Sequence, residues 1–330
     1  MKILLAPLNW GLGHASRCVP LVQRLLDEGN EVVLGGDGES LTLLRKHFPK
    51  LRYVYLAPLQ LRYSKGKRQV WAMIKALPKL WTWALKDHAI LKAVLREEPF
   101  DQIISDNRFG LYFVSGRSKQ SVLCQAKPIC IYITHQLHIM LPKGWRWLEP
   151  LVARLHARVY TRFNKVWVPD YKDYKQSLAG ELSHLQITNG KNQISIEYIG
   201  PLSRFLPATK ETNYDVVAVL SGLEPQRTLL EKELLARFQD SNQSVLIVQG
   251  LLNKPNTRIK RANITIVPYM NDDELVAAMT GAKLIIARAG YSTIMDLNAL
   301  DLLSKAELIP TPGQPEQEYL ATWIAQKTLF

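Results

Sequence analysis

The chain has 330 residues, enough for two sizeable cores, and with 47% hydrophobic and 22% charged residues it has an ordinary globular balance. Its three scattered cysteines, Cys18, Cys124 and Cys130, form no paired spacing, which argues against a disulfide framework or a zinc site and for a reducing compartment. The net charge of +13 is uneven: residues 1–205 hold 30 basic against 15 acidic side chains and residues 206–330 hold 12 against 14, so the first half is expected to face something anionic.

The opening residues, Lys2–Ala6, read as a strand. The apolar stretch is too short for a secretion signal, and no run approaches the roughly 18 apolar residues of a membrane span. The loop Asn9-Trp10-Gly11-Leu12-Gly13-His14-Ala15-Ser16-Arg17 follows. Gly11 and Gly13 permit a tight turn and close approach of a ligand, but the spacing is not a dinucleotide fingerprint. His14 stands where the helix Ser16–Glu28 begins, and an imidazole there suits a general base. Strand signals continue at Glu31–Leu34, Gln102–Ser105, Ile129–Thr134, Lys165–Val168 and Ser195–Ile199. After two of them come Asp106-Asn107-Arg108 and His135-Gln136, expected to project into the same crevice. Asp106 and His135 are rival bases or groups that orient an acceptor. Gln69–Arg96 mixes Trp71, Trp81 and Trp83 with lysines, and Trp145-Arg146-Trp147 adds to the theme. That composition suits a lipid headgroup boundary, although Pro78 is expected to interrupt the helix.

The polar, turn-rich stretch from Gly200 to Asn213 divides two sets of strands, and the domains are placed at residues 1–205 and 206–330. The second set is Asp215–Leu220, Ser244–Val248, Ile264–Val267, Lys283–Ile286 and Glu307–Ile309. Helices are expected at Gln226–Arg237, Asp273–Met279 and Glu318–Gln326. Strands separated by helices imply parallel sheets whose ligands bind at the carboxyl ends of the strands. Ser221 and Gly222 shape the turn before the helix at Gln226, whose free N–H groups suit a diphosphate in a half without net positive charge. Arg288-Ala289-Gly290-Tyr291-Ser292-Thr293 again runs from strand through glycine turn to helix. Asp296, about two turns on, can accept both hydroxyls of a ribose. The loop Pro310-Thr311-Pro312-Gly313-Gln314 is stiff and leads into Gln317 and Glu318, whose amide and carboxyl suit sugar hydroxyls. Asp272-Asp273 reads as helix capping. No metal cluster is found.

Together these segments resemble the MurG-like glycosyltransferases. The residues that carry the resemblance are Arg288 to Thr293 with Asp296, Ile309 to Pro312, and Glu316-Gln317-Glu318-Tyr319-Leu320-Ala321. The Gly11–His14 loop is similar to that family's first acceptor-side loop, and further motifs are SDNR, THQ and SGxEPQR. The resemblance implies a GT-B fold: α/β, two Rossmann-like doubly wound parallel-sheet domains facing a central cleft, acceptor in the first and donor in the second. It implies an inverting, metal-independent reaction with no cofactor. Ser221 and Gly222 would line the diphosphate, the backbone near Tyr269 and Met270 would meet the base, Asp296 the ribose and Gln317 the donor sugar. Asp296 is shorter than that family's usual glutamate, and the first loop has fewer glycines, so the acceptor need not be the peptidoglycan lipid. The chain ends at Phe330, so the family's closing crossover helix is expected to be missing.

The leading expectation is transfer of a hexose or N-acetylhexosamine from a UDP-sugar to an anionic, lipid-linked or saccharide acceptor of the cell envelope. Gly11, Gly13, Asn107, Arg108 and Gln136 are the acceptor-side candidates. A cytoplasmic protein is expected, peripheral on the inner face of the membrane. The alternatives are a nucleotide-sugar hydrolase or epimerase on the same fold, and a non-catalytic protein that binds an anionic membrane surface. No aromatic-basic motif supports nucleic acid as a partner.

Overall fold

The computed structural model describes residues 1–59, 69–112, 127–184, 194–207, 212–222, 224–255 and 257–328, with the side chains of residues 69–77 left aside. Cys124 and the side chains of Trp71 and Lys75 therefore lie outside the described residues. The chain divides into two compact units, with the main break between Leu202 and Ser203.

The first unit runs β1 (Lys2–Pro7), α1 (Gly13–Asp27), β2 (Glu31–Gly36), α2 (Gly38–His47), β3 (Tyr53–Tyr55), α3 (Gln69–Glu97), β4 (Gln102–Asp106), β5 (Ile129–Ile133), a 3₁₀ turn (Lys143–Leu148), α4 (Glu149–Tyr160), β6 (Lys165–Val168) and β7 (Ser195–Tyr198). Its seven strands are all parallel, in the order β3-β2-β1-β4-β5-β6-β7. The order reverses beside β1, which pairs with β2 on one side and β4 on the other. That reversal is where an open α/β sheet leaves a crevice beyond its carboxyl ends. Register puts Pro7 opposite Asp106, and Asp106 opposite Ile133. The loops after β1, β4 and β5 therefore emerge side by side.

The interior strands are covered on both faces, so they read as unbroken apolar runs. Ile3, Leu4 and Leu5 are fully buried, and truncating one of them to alanine costs about 2–5 kcal/mol. α3 does not stop at Pro78 but continues through it to Glu97. Trp83, expected in a headgroup belt, is instead buried: its indole N–H donates to the Ala57 carbonyl at 2.8 Å.

The second unit runs β8 (Val216–Val219), α5 (Gln226–Phe238), β9 (Val245–Val248), β10 (Ile259–Arg261), β11 (Ile264–Val267), α6 (Asp272–Gly281), β12 (Leu284–Arg288), α7 (Tyr291–Ala299), β13 (Ala306–Ile309) and α8 (Pro315–Thr328). The sheet order is β10-β11-β9-β8-β12-β13, parallel except for β10, which pairs antiparallel with β11 at the edge. Its order reverses beside β8, between β9 and β12. Asn271 caps α6 by accepting from the Glu274 N–H at 2.8 Å. The cap is thus Asn271, and Asp272 and Asp273 sit in the first turn.

Candidate functional site

Gly11 adopts a positive φ of 75° and turns the chain from β1 into α1. This sets His14 and Arg17, three residues apart, on one face of α1. Asp106 ends β4. Its carboxylate accepts from Arg17 Nε at 2.6 Å and from Arg17 Nη2 in a close contact, and lies 3.0 Å from His14 Nδ1. Arg17 and Asp106 are buried, whereas His14 keeps some exposure. Burial pushes the Asp106 carboxyl up, but Arg17 and then His14 overcome it and hold the group well below the usual carboxylate range. His14 Nδ1 also lies 3.0 Å from Arg17 Nη2, so this ring nitrogen faces both a carboxylate that accepts and a guanidinium that donates.

The three candidate bases are therefore not equivalent. Asp106 is buried and paired with Arg17. His135 is buried, and its Nδ1 accepts from Arg17 Nη1 at 3.1 Å. His14 is the one with a ring edge toward solvent. Arg17, which the sequence reading left without a role, joins all three. The signal was present as an arginine three residues after the histidine on a helix.

The other first-unit candidates divide. Asn107 takes a positive φ of 56°, a conformation Asn tolerates, and its Oδ1 accepts from the Tyr132 hydroxyl at 2.7 Å. Gln136 is half-buried after β5, its N–H donating to Thr134 Oγ1 at 3.1 Å. Arg108 corrects an expectation. It is fully buried and bonds Asp87 through Nε at 2.8 Å and Nη2 at 3.0 Å, and Asp37 through Nη1 at 2.7 Å. Nη2 also meets the Ala57 carbonyl at 2.8 Å. Its donors are engaged within the domain, so it holds the scaffold and does not greet an acceptor.

In the second unit, Gly222 turns after β8 with φ 95°; Leu223 lies outside the described residues. At the opening turn of α5, Glu224 accepts from the Thr228 N–H at 3.3 Å and the Thr228 hydroxyl at 3.0 Å, and pairs closely with Arg227. That helix end already carries a carboxylate. α7 differs: its N-cap is Gly290, which offers no capping side chain to Ser292 and Thr293 in the first turn. Arg288, expected on the donor side together with Gly290, Ser292 and Thr293, ends β12. It is buried, and it donates to the carbonyls of Pro310 at 3.0 Å and Gln226 at 2.9 Å. These bonds fasten the loops around α5 and β13 together, while its buried Nε has no hydrogen-bond partner among the described residues.

Asp296 is the sixth residue of α7. Its Oδ1 accepts from the Ser203 hydroxyl at 2.7 Å. Desolvation lifts its carboxyl to about 7, against the opposing effects of Arg204 and Ser203 and with help from Asp272. Ser203 was not foreseen, being 93 residues distant in sequence. Gln317 reaches back so that its Oε1 accepts from the Thr311 N–H at 2.8 Å, fixing the loop after β13. Tyr269 and Met270 follow β11 half-buried, with Met270 packed on the domain core. Among the described residues no group of three or more His, Cys, Asp or Glu side chains is arranged to hold a metal ion.

Comparison with known proteins fits this geometry. The whole chain superposes on the glycosyltransferase of kitacinnamycin with a TM-score of 0.61 at 13% identity, covering 98% of this chain and 84% of that one. It also superposes on UGT2 of Phytolacca americana, solved with UDP-2fluoro-glucose and pterostilbene, with a TM-score of 0.56 at 14% identity, covering 99% and 83%. The chain has the GT-B fold. Within this GT-B chain, residues 216–328 match the glycosyltransferase family 28 C-terminal domain. An uncharacterized glycosyltransferase of Methanosarcina acetivorans is 25% identical over 99% of this chain and 84% of its own length. Another from Methanosarcina mazei is 22% identical over the same shares, 99% and 84%. Fold, domain match and relatives together support a glycosyltransferase.

Proposed function

We propose that this GT-B protein is an inverting, metal-independent transferase of the MurG-like kind. It moves a hexose or N-acetylhexosamine from a UDP-sugar to a lipid- or phosphate-linked acceptor of the cell envelope. The observation that carries the reading is the His14–Asp106 pair, locked by Arg17 at the switch point of the first sheet.

His14 Nε2 takes the proton from the acceptor hydroxyl. Asp106 holds the ring in the productive tautomer and stabilises the imidazolium that forms. A positioned base of this kind contributes about 10²–10⁴-fold in rate. The hydroxyl oxygen attacks the anomeric carbon, the bond to the diphosphate breaks on the opposite face, and configuration inverts. The N-terminal turn of α7 supplies N–H groups to the departing diphosphate, which is how a unit without net positive charge can hold one. Ser221 and Gly222 border the same leaving group, Asp296 accepts the ribose hydroxyls and Gln317 reads the sugar.

Calorimetry with UDP, UDP-N-acetylglucosamine, GDP and TDP tests the reading. The wild type is expected to prefer uridine nucleotides, and Asp296→Ala to weaken UDP about 10- to 100-fold, as for lost hydrogen bonds to a charged group. Failure of the wild type to bind any nucleotide removes the transferase reading. Full-rate release of free sugar without acceptor would replace it with a hydrolase.

A further inference from the structure

The second unit opens with Ser203-Arg204-Phe205, and each of these residues is tied to a different part of it. Phe205 is buried in the core cluster that includes Leu297 of α7. Arg204 forms an ion pair with Asp272 in the first turn of α6, Nε to Oδ1 at 2.9 Å, and its guanidinium carbon lies 4.7 Å from the centre of the Phe205 ring. Ser203 Oγ accepts from the Phe205 N–H at 3.1 Å, a local turn that serine hydroxyls favour, and donates to Asp296 Oδ1 at 2.7 Å. The hydroxyl is thus held from behind by the backbone and aimed at one oxygen of the carboxylate. Among the described residues, Asp296 Oδ2 has no hydrogen-bond partner. Asp296 is also the one charged side chain of α7, so no neighbour on its own helix competes for that bond.

We infer that Ser203 is a positioning residue for the donor: it fixes the rotation of the Asp296 carboxylate so that Oδ2 is presented to the ribose hydroxyls. The inference rests on the reading of Asp296 as the ribose contact and names what holds that contact in place. A carboxylate free to turn about its last bond loses that freedom when a nucleotide binds. One already bonded through Oδ1 has lost it beforehand, so the ordering is not charged against binding. The same hydrogen bond favours the ionised form, which is the form that accepts hydroxyls. Desolvation, the largest influence, and Asp272 raise the carboxyl, and Arg204 and Ser203 oppose them.

Two measurements on the full chain test it. Calorimetry with UDP-N-acetylglucosamine, whose esterified diphosphate has no proton to lose in the interval, follows affinity from about pH 6 to pH 8. Ser203→Ala is expected to move the rise in affinity upward by about one pH unit, tenfold in the ionisation equilibrium, and to weaken binding about fivefold at neutral pH. Ser203→Thr keeps a hydroxyl and is expected to restore the wild-type profile. In the ligand-free protein, carbon NMR of the Asp296 carboxyl, assigned with Asp296→Asn, is expected to show it titrating about one pH unit higher in Ser203→Ala. Circular dichroism verifies that the variants fold. A serine that serves the fold alone moves neither profile. An Asp296 titration unchanged in Ser203→Ala overturns the inference and leaves the ribose reading standing. A titration that moves while the nucleotide affinity of wild type and variant stays equal removes Asp296 from the ribose, and the inference falls with that reading.

Discussion

At the residue scale, His14 and Arg17 close on the Asp106 carboxylate, and Arg17 also reaches His135. Asp106→Asn keeps the shape but removes the charge that, in the proposed mechanism, holds the ring of His14 and stabilises its imidazolium. Activity is expected to fall by about 10²–10⁴ with donor affinity unchanged, as for His14→Gln, and the double variant should be no worse than either single one. Additive losses, measured as kcat/KM, would show that the two residues act separately. Asp296 carries a second expectation. Its carboxyl is lifted to about 7, so it is largely protonated at pH 6 and ionised at pH 8. If it accepts ribose hydroxyls, UDP affinity should rise through that interval, and Asp296→Asn should flatten the profile. An unchanged slope in the variant would remove Asp296 from the donor site. Asp106 is legible in the sequence as a strand-end residue and Asp296 as a carboxylate in the helix that follows a strand and glycine turn. Arg17 and Ser203 are not legible there, because their value lies in partners far along the chain.

At the scale of elements, α4 holds a buried strain of its own. His156 lies against Tyr132 and Tyr160, and burial lowers its pKa to about 4 despite a backbone hydrogen bond at Leu137. Below pH 6.5 the unfolded chain takes a proton that the folded one refuses. Stability should therefore decline as pH falls from 6.5 to 4, by about 3 kcal/mol in all for this group. Urea midpoints across that range should show the decline, and His156→Phe should reduce it by that amount. The same slope in wild type and variant would contradict the assignment. Asp296 acts in the opposite sense, since a carboxyl raised in the folded state favours folding as pH falls. The comparison must therefore be made between variants. Arg108 links β1, α2, α3 and β4, and Arg108→Met leaves Asp37 and Asp87 without their partner, at an expected cost of about 3–5 kcal/mol in denaturant.

The same scale shows which elements the sequence conceals. The interior strands were legible because burial on both faces demands apolar runs. β3 and β10 were not foreseen. Each has three residues, lies at a sheet edge and is mostly exposed, so no pattern of burial marks it. α3 continued past Pro78 where local propensity alone predicted an end.

For the whole molecule, two compact units predict separable responses. Seven of the eight tryptophans precede Ser203, and Trp323 alone follows it. Tryptophan fluorescence therefore reports mainly the first unit, whereas circular dichroism reports both. UDP at about 100 times its Kd should stabilise the unit that binds it by about 2.7 kcal/mol. We expect the dichroism transition to move and the fluorescence transition to follow it only weakly. A ligand-induced shift seen first in fluorescence would put the donor in the wrong half.

The sequence by itself determined the parallel α/β plan, the loops that reach the strand ends and the uneven charge. These depend on local apolar periodicity and on glycines whose positions are read directly. Tertiary structure decided the rest. It set the part-exposed His14 beside the buried Arg17, Asp106 and His135, and it drew Arg108 and Arg288 inward. It also buried Trp83 while leaving its neighbours in that theme, Trp81 and Trp147, exposed. The physical reason is common to all of these changes. The availability of a charged or aromatic group depends on which distant groups it meets in the fold, and composition and spacing do not contain that pairing.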